Sequence, residues 1–251
     1  MTSSTKVPSS DHEPELLGQT LVVIGGSSGI GLETGRRARL DGAQVILTGR
    51  NSERLHGAAL ELGALSTAVF DANDPPSLDR FFGDLSEPID HVMVTAGAPH
   101  YESILASDPD EVRNALDDRL LLAINVARNA AAKLRSGGTL VFMSGTKDRH
   151  PRGGGTVSTV AAGLDALIAN LALELAPIRV NLIAAGFVDT PLTASLLGND
   201  LEARREQLRA TLPIRRVVGA ADVAALAVHI MINTALTGAT YEIDGGQRLV
   251  A

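Results

Sequence analysis

Thr20-Leu21-Val22-Val23-Ile24-Gly25-Gly26-Ser27-Ser28-Gly29-Ile30-Gly31 is the stretch whose reading decides the fold. Its first half is apolar and β-branched, the composition of a buried strand. Its second half sets Gly25, Gly29 and Gly31 in a G-x-x-x-G-x-G spacing, and a helical pattern follows over 29–41. Glycine permits a tight turn and lets backbone N–H groups approach an anion closely. The first helical turn adds unpaired N–H donors and the positive end of the helix dipole. Strand, glycine turn and helix in this order predict a pyrophosphate cradle formed by Gly25, Ser27, Ser28, Gly29, Ile30 and Gly31.

The same alternation continues downstream. Strands are expected at Thr20–Gly25, Gln44–Thr48, Ser66–Phe70, His91–Thr95, Thr139–Ser144, Arg179–Ile183 and Thr240–Ile243, with helices over about 29–41, 52–62, 76–85, 108–134, 156–176 and 219–233. Alternating strands and helices make parallel βαβ units with right-handed crossovers. The expected fold class is α/β, a doubly wound, Rossmann-type, seven-stranded parallel sheet with helices on both faces in a single domain. Ligands of such folds sit outside the carboxyl ends of the strands, where strand order reverses. Residues 189–212 interrupt the alternation and are expected to form a surface helix or a lid. Residues 1–16, rich in Ser, Thr, Pro and charge, read as a mobile tail, and 17–251 as the folded domain.

Composition narrows the function classes. Of 251 residues, 45% are hydrophobic and 20% charged, which suits a well-buried core. Aromatics are only 3%, so Ala, Leu, Val and Ile must fill it. A net charge of -7 argues against a nucleic-acid or anionic-membrane surface. With no cysteine there is no disulfide framework, thiol nucleophile or thiolate metal site, and the six histidines show no ligand spacing, so no metal is expected. No signal peptide or membrane span is evident, and a cytoplasmic protein is the expectation.

Three landmarks together resemble the short-chain dehydrogenase/reductase family along almost the whole chain: the glycine turn, Leu171-Ala-Leu-Glu-Leu-Ala-Pro-Ile-Arg-Val-Asn181, and Ile243-Asp-Gly-Gly246. The resemblance implies a nicotinamide dinucleotide as cofactor. A carboxylate at the end of the second strand would hold the ribose hydroxyls of NAD, but Gly49 stands there, followed by Arg50 and Asn51. Arg50 is suited to a 2′-phosphate, which favours NADP(H) over NAD(H). By resemblance, Asp71 contacts the adenine edge, and Ala96-Gly97 leaves room for a ribose. The resemblance also implies that Gly186 admits the nicotinamide, that Thr190 bonds its carboxamide or the phosphates, and that Val188 between them belongs to the cofactor-binding segment. The family commonly reads Asn-Asn before Ala96-Gly97; Val94 and Thr95 stand there instead, which predicts weaker polar support of the central sheet.

The family's proton-handling residues are where this chain departs. Counting back from Glu174, the family Tyr maps to Val157 and the Lys to Ala161, and Thr156–Ala162 contains neither residue type. The family Asn falls at or beside Arg119. The family Ser falls at Ser144 by one count and at Gly145 by another. The available replacements lie on loops expected to rim the crevice: His100, Tyr101, Lys147, Asp148 and His150. Hydride chemistry belongs to the cofactor, and a positioned general acid contributes about 10²–10⁴ in rate.

Three functions stay open on the sequence. One is an oxidoreductase with a non-standard site acting on a small carbonyl, imine or enone. The second is a non-redox isomerase, dehydratase or cyclase. The third is an NADP(H)-binding sensor or scaffold without catalysis. Apolar residues on several faces of the two long helices, among them Leu120, Leu121, Leu122, Leu164, Leu167, Ile168 and Leu171, together with the resemblance, imply a homodimer or homotetramer.

Overall fold

A computed structural model describes residues 14–97, 99, 101, 103, 105–146 and 154–250. Its main sheet has seven parallel strands in the order β3-β2-β1-β4-β5-β6-β9. They are β1 (Thr20–Ile24), β2 (Gln44–Gly49), β3 (Ser66–Val69), β4 (Ile89–Val94), β5 (Leu134–Gly145), β6 (Arg179–Ala185) and β9 (Thr240–Ile243). Strand order reverses between β1 and β4, so the crevice predicted from sequence opens beyond Ile24 and Val94. Central strands are buried on both faces and read as continuous apolar runs, as parallel strands must.

Helices α1 (Gly29–Leu40), α2 (Ser52–Leu62) and α9 (Ala220–Ile232) cover one face. Helices α3 (Pro75–Asp84), α5 (Leu122–Ala131) and α6 (Gly155–Glu174) cover the other. Helix starts follow sequence chemistry. Asn51 accepts from the Arg54 N–H and Asp74 from the Ser77 N–H, and Asp108 with Glu111 makes a capping box ahead of α4 (Pro109–Leu116).

Three expectations need correction. The helix read over 108–134 is interrupted: a π turn, Asp117–Leu121, separates α4 from α5. The chain already packs at Leu16, inside the segment read as tail; its side chain is fully buried and its N–H donates to the Asp41 carbonyl. Helix α6 is long and apolar enough to cross a membrane by length and composition alone. It packs instead against β5 and β6, with Asp165 accepting from the Thr240 hydroxyl at 2.6 Å. Finally, of the apolar residues expected to meet a second subunit, Leu122, Leu164, Ile168 and Leu171 are buried within the chain; Leu121 is about half exposed.

The interrupting region forms α7 (Pro191–Leu197) and α8 (Leu201–Thr211), over a two-stranded parallel ladder of β7 (Val188–Asp189) and β8 (Val218–Gly219). Arg205 on α8 donates to Asp189 at 2.7 Å and clamps this cover to β7.

Candidate active site

The glycine turn is built as its spacing demands. Gly25 and Gly29 adopt positive φ (96° and 55°), the left-handed region that a Cβ disfavours. A Cβ on Gly25 would lie 2.8 Å from both the Ala96 nitrogen and Thr95 Oγ1. At Gly31 it would lie 2.6 Å from Thr95 Oγ1 and would strike the Gly25 carbonyl. The turn is therefore pressed against the exit of β4. Ser28 occupies the N-cap of α1 in extended conformation, its side chain makes no cap bond, and the first turn has no acid. The helix start thus keeps N–H donors for an external anion. Across the turn, Thr190 lies where a Gly29 Cβ would meet its Cβ and Cγ2 at 3.6 Å. Segments that follow β1 and β6 meet at one cradle, and these residues fit a dinucleotide pyrophosphate.

The adenosine side is set by the ends of β2 and β3. Gly49 abuts Ser27: a Cβ there would sit 3.4 Å from Ser27 Oγ. The largely exposed Arg50 side chain lies 3.7 Å from Asp71 Oδ2. Asp71 also accepts from the Asn73 N–H at 3.0 Å, and Asn73 donates to Asp118 at 2.9 Å. Burial, reinforced by the nearby Asp71 carboxylate, raises the Asp118 pKa above the usual carboxylate value.

Several of the expected site residues also have structural duties. Asn51 spends its side-chain oxygen on the start of α2. Val188 is buried in the small ladder, and Thr190 caps α7 by accepting from the Thr193 N–H at 3.3 Å. Gly186 has a packing reason of its own: a Cβ there would lie 2.6 Å from Gln247 Oε1 and 2.7 Å from Asp244 Cβ. Gln247 accepts from the Phe187 N–H at 2.9 Å, so the C-terminal turn fixes the loop after β6. Thr95 does not weaken the centre of the sheet. Its hydroxyl reaches the carbonyl oxygens of Gly25 (3.0 Å) and Ile24 (3.3 Å), which restores polar support.

The proton-handling end of the crevice lies beyond β4 and β5. Ser144 is buried at the end of β5, paired with Ala184. A Cβ on Gly145 would contact Val157 Cγ1 at 3.5 Å, so Val157 on the first turn of α6 stands beside the strand end. Ala161, one turn on, is buried. Tyr101 is more than half exposed. His100, Lys147, Asp148 and His150 lie outside the described residues. Among the described residues no group of His, Asp or Glu could hold a metal ion.

Arg119 is the residue that sequence reasoning undervalued. From the π turn it donates to the Gly97 carbonyl at 3.0 Å and lies 3.4 Å from the Met143 carbonyl. It lines a cavity of about 10 Å³ with Ala96, Leu122, Phe142 and Leu164, room for about one water. A groove of about 490 Å³ lies elsewhere, on the open edge of the sheet at Tyr241, Glu242 and Arg248.

A seven-stranded sheet of this order, with a glycine cradle at its reversal point, defines a dinucleotide-binding α/β protein. The family model described as enoyl-(acyl carrier protein) reductase matches residues 24–248. The chain belongs to the short-chain dehydrogenase/reductase family. Short-chain dehydrogenase/reductase ATR9 of Stachybotrys chlorohalonatus (strain IBT 40285) is 28% identical over 93% of this chain and 98% of its own length. A small-chain dehydrogenase solved in complex with NADPH is 27% identical, with a TM-score of 0.79 over 92% of this chain and 99% of that one. BdcA, also solved with NADPH, is 25% identical, with a TM-score of 0.81 over 92% and 95%.

Proposed function

We propose that this chain is an NADP(H)-dependent oxidoreductase whose active site lacks the family's Tyr–Lys pair and acts on a small carbonyl, imine or enone. The carrying observation is the cradle: Gly25, Gly29 and Gly31 closed against Thr95 and faced by Thr190, with Arg50 at the end of β2. Two NADPH-bound relatives of similar fold support the same cofactor. When bound, the dinucleotide supplies or accepts the hydride. The chain's residues bind and orient it: the start of α1 takes the pyrophosphate and Arg50 the 2′-phosphate.

The atypical site is read from Val157 and Ala161, which stand in the family's Tyr and Lys positions when the count runs back from Glu174. Val157 cannot donate a proton. A substrate whose oxygen is stabilised by charge, or that is already activated, needs no side-chain acid there.

A deuterium-transfer experiment tests the reading. The protein is incubated with NADPH deuterated at the transferring carbon and a panel of ketones, cyclic imines and enones, and products are weighed. Deuterium at carbon in one product class supports the proposal. Product formed without deuterium, or NADPH left intact across the panel while remaining bound, contradicts it.

A cytoplasmic homodimer or homotetramer is part of the proposal. Support comes from α6, where Ala162, Ala166, Ala169 and Leu173 stay exposed along one side, Leu173 at 80%. Light scattering on the eluting protein reads the mass directly, and a monomer at micromolar concentration removes this part.

A further inference from the structure

Arg119 is a charge at the carboxyl ends of β4 and β5 that the proposed function leaves without a task. The π turn that carries it adds a residue to the helical repeat and re-aims the side chain. Its stem covers Gly97, where a Cβ would lie 3.1 Å from Arg119 Cδ and 2.8 Å from Nε. Its head reaches the loop after β4 through Gly97 and the end of β5 through Met143. It therefore bridges the two central strands at their carboxyl ends, two residues along β5 from Gly145, which faces Val157.

The guanidinium has five N–H donors, and the structure gives it two carbonyl acceptors. Among the described residues no carboxylate forms an ion pair with it. The adjacent Asp118 turns its side chain to Asn73. Burial lowers the Arg119 pKa, against the opposing pull of Asp118 and Tyr101. Such a cation stays protonated at neutral pH, and among the described residues its acceptors are two neutral carbonyl oxygens.

We propose that Arg119 holds a substrate oxygen as it becomes negative, and so makes the crevice select neutral conjugated carbonyls over protonated imines. This rests on the reductase reading above. In an enone, the hydride forms a C–H bond at the β-carbon and breaks one in the reduced dinucleotide, which is oxidised by two electrons. The C=C pair moves to the bond between the α-carbon and the carbonyl carbon, and the carbonyl π pair moves onto oxygen. Arg119 neutralises that enolate oxygen, and water then supplies the proton at the α-carbon. No acid is needed where Val157 stands. A protonated imine starts with a positive charge, which Arg119 repels.

4-Nitrophenol tests this without turnover, because its anion absorbs visible light and mimics an enolate oxygen. It is titrated with pH in the full-length protein saturated with NADP⁺, beside Arg119→Lys, Arg119→Gln and Arg119→Met. NADPH fluorescence titration of each variant shows separately whether the fold and the cofactor reading survive. The apparent pKa of bound 4-nitrophenol is expected to fall by about 1–3 pH units in the native protein. The fall persists in Arg119→Lys and disappears in Arg119→Gln and Arg119→Met, and benzylammonium does not compete. Three results overturn the proposal: equal pKa values in native protein and Arg119→Gln, competition by benzylammonium, or no 4-nitrophenol binding by protein that binds NADPH.

Discussion

The Thr95 hydroxyl reaches the Gly25 carbonyl oxygen at 3.0 Å, tying the exit of β4 to the glycine turn after β1. The two segments are 70 residues apart in sequence, yet this contact shapes the floor of the cradle. It also explains why Gly31 can carry no side chain: a Cβ would lie 2.6 Å from the same hydroxyl.

Gly31→Ala is therefore expected to weaken NADPH binding by at least about tenfold, equivalent to about 1.4 kcal/mol. Overpacking at a backbone contact also costs about 1–3 kcal/mol of stability. Fluorescence titration and a denaturant melt read the two effects. Unchanged affinity would show that the turn does not form the cradle.

Arg50→Gln separates the cofactors. Losing one charge-assisted hydrogen bond to a 2′-phosphate lowers NADPH affinity about tenfold and leaves NADH binding unaltered. The side chain is largely exposed, so the effect shrinks with added salt. Competition titrations at low and high salt check both statements. A parallel loss for NADH would mean that Arg50 does not read the 2′-phosphate.

His91 predicts an acid-sensitive fold. It is buried on β4, its Nε2 lies 2.6 Å from Gln19 Oε1, and its Nδ1 has no partner among the described residues. Burial, with nearby Arg179 adding to it, lowers its pKa from 6.5 to about 3. A depressed histidine pKa means that the folded state resists protonation more than the unfolded chain. Its contribution is fully present above pH 6.5 and is lost as pH falls toward 3. The slope approaches about 1.4 kcal/mol per pH unit within that window. Urea melts between pH 7 and 4 should show it, and His91→Gln should flatten the curve while lowering stability at pH 7. An equally steep curve in the variant would assign the acid sensitivity to other groups.

Val157→Tyr combined with Ala161→Lys restores the family pair. Ketone reduction should rise by about 10²–10⁴, the worth of a positioned general acid. Ala161 is buried, so a melting temperature below that of the native protein is also expected. Steady-state assays with simple ketones decide it. No gain in a variant that still binds NADPH would show that the native site already has an equivalent acid.

The sequence carried what is local and periodic. Strand and helix order was legible because β-branched runs alternate with helical patterns, and the cradle because only glycine suits such a turn. Contacts between distant segments were not legible. The close packing of Gly186 against Gln247 and Asp244, some 60 residues downstream, has no signal in the sequence. Thr95 read as lost polar support, yet its hydroxyl supplies that support through a carbonyl no pattern could name. The π turn at Asp117–Leu121 was hidden because its apolar residues continue the helical spacing around it. Arg119 was legible only as a missing Asn; its role depends on carbonyls from two strands.

The central claim is that this crevice binds NADP(H) in preference to NAD(H). Calorimetric titration of the full-length protein with NADPH, and then with NADH, tests it most directly. Saturable NADPH binding at least about tenfold tighter than NADH is expected, the difference arising from the 2′-phosphate. Equal affinity for the two, or no heat from either at millimolar concentration, would contradict it.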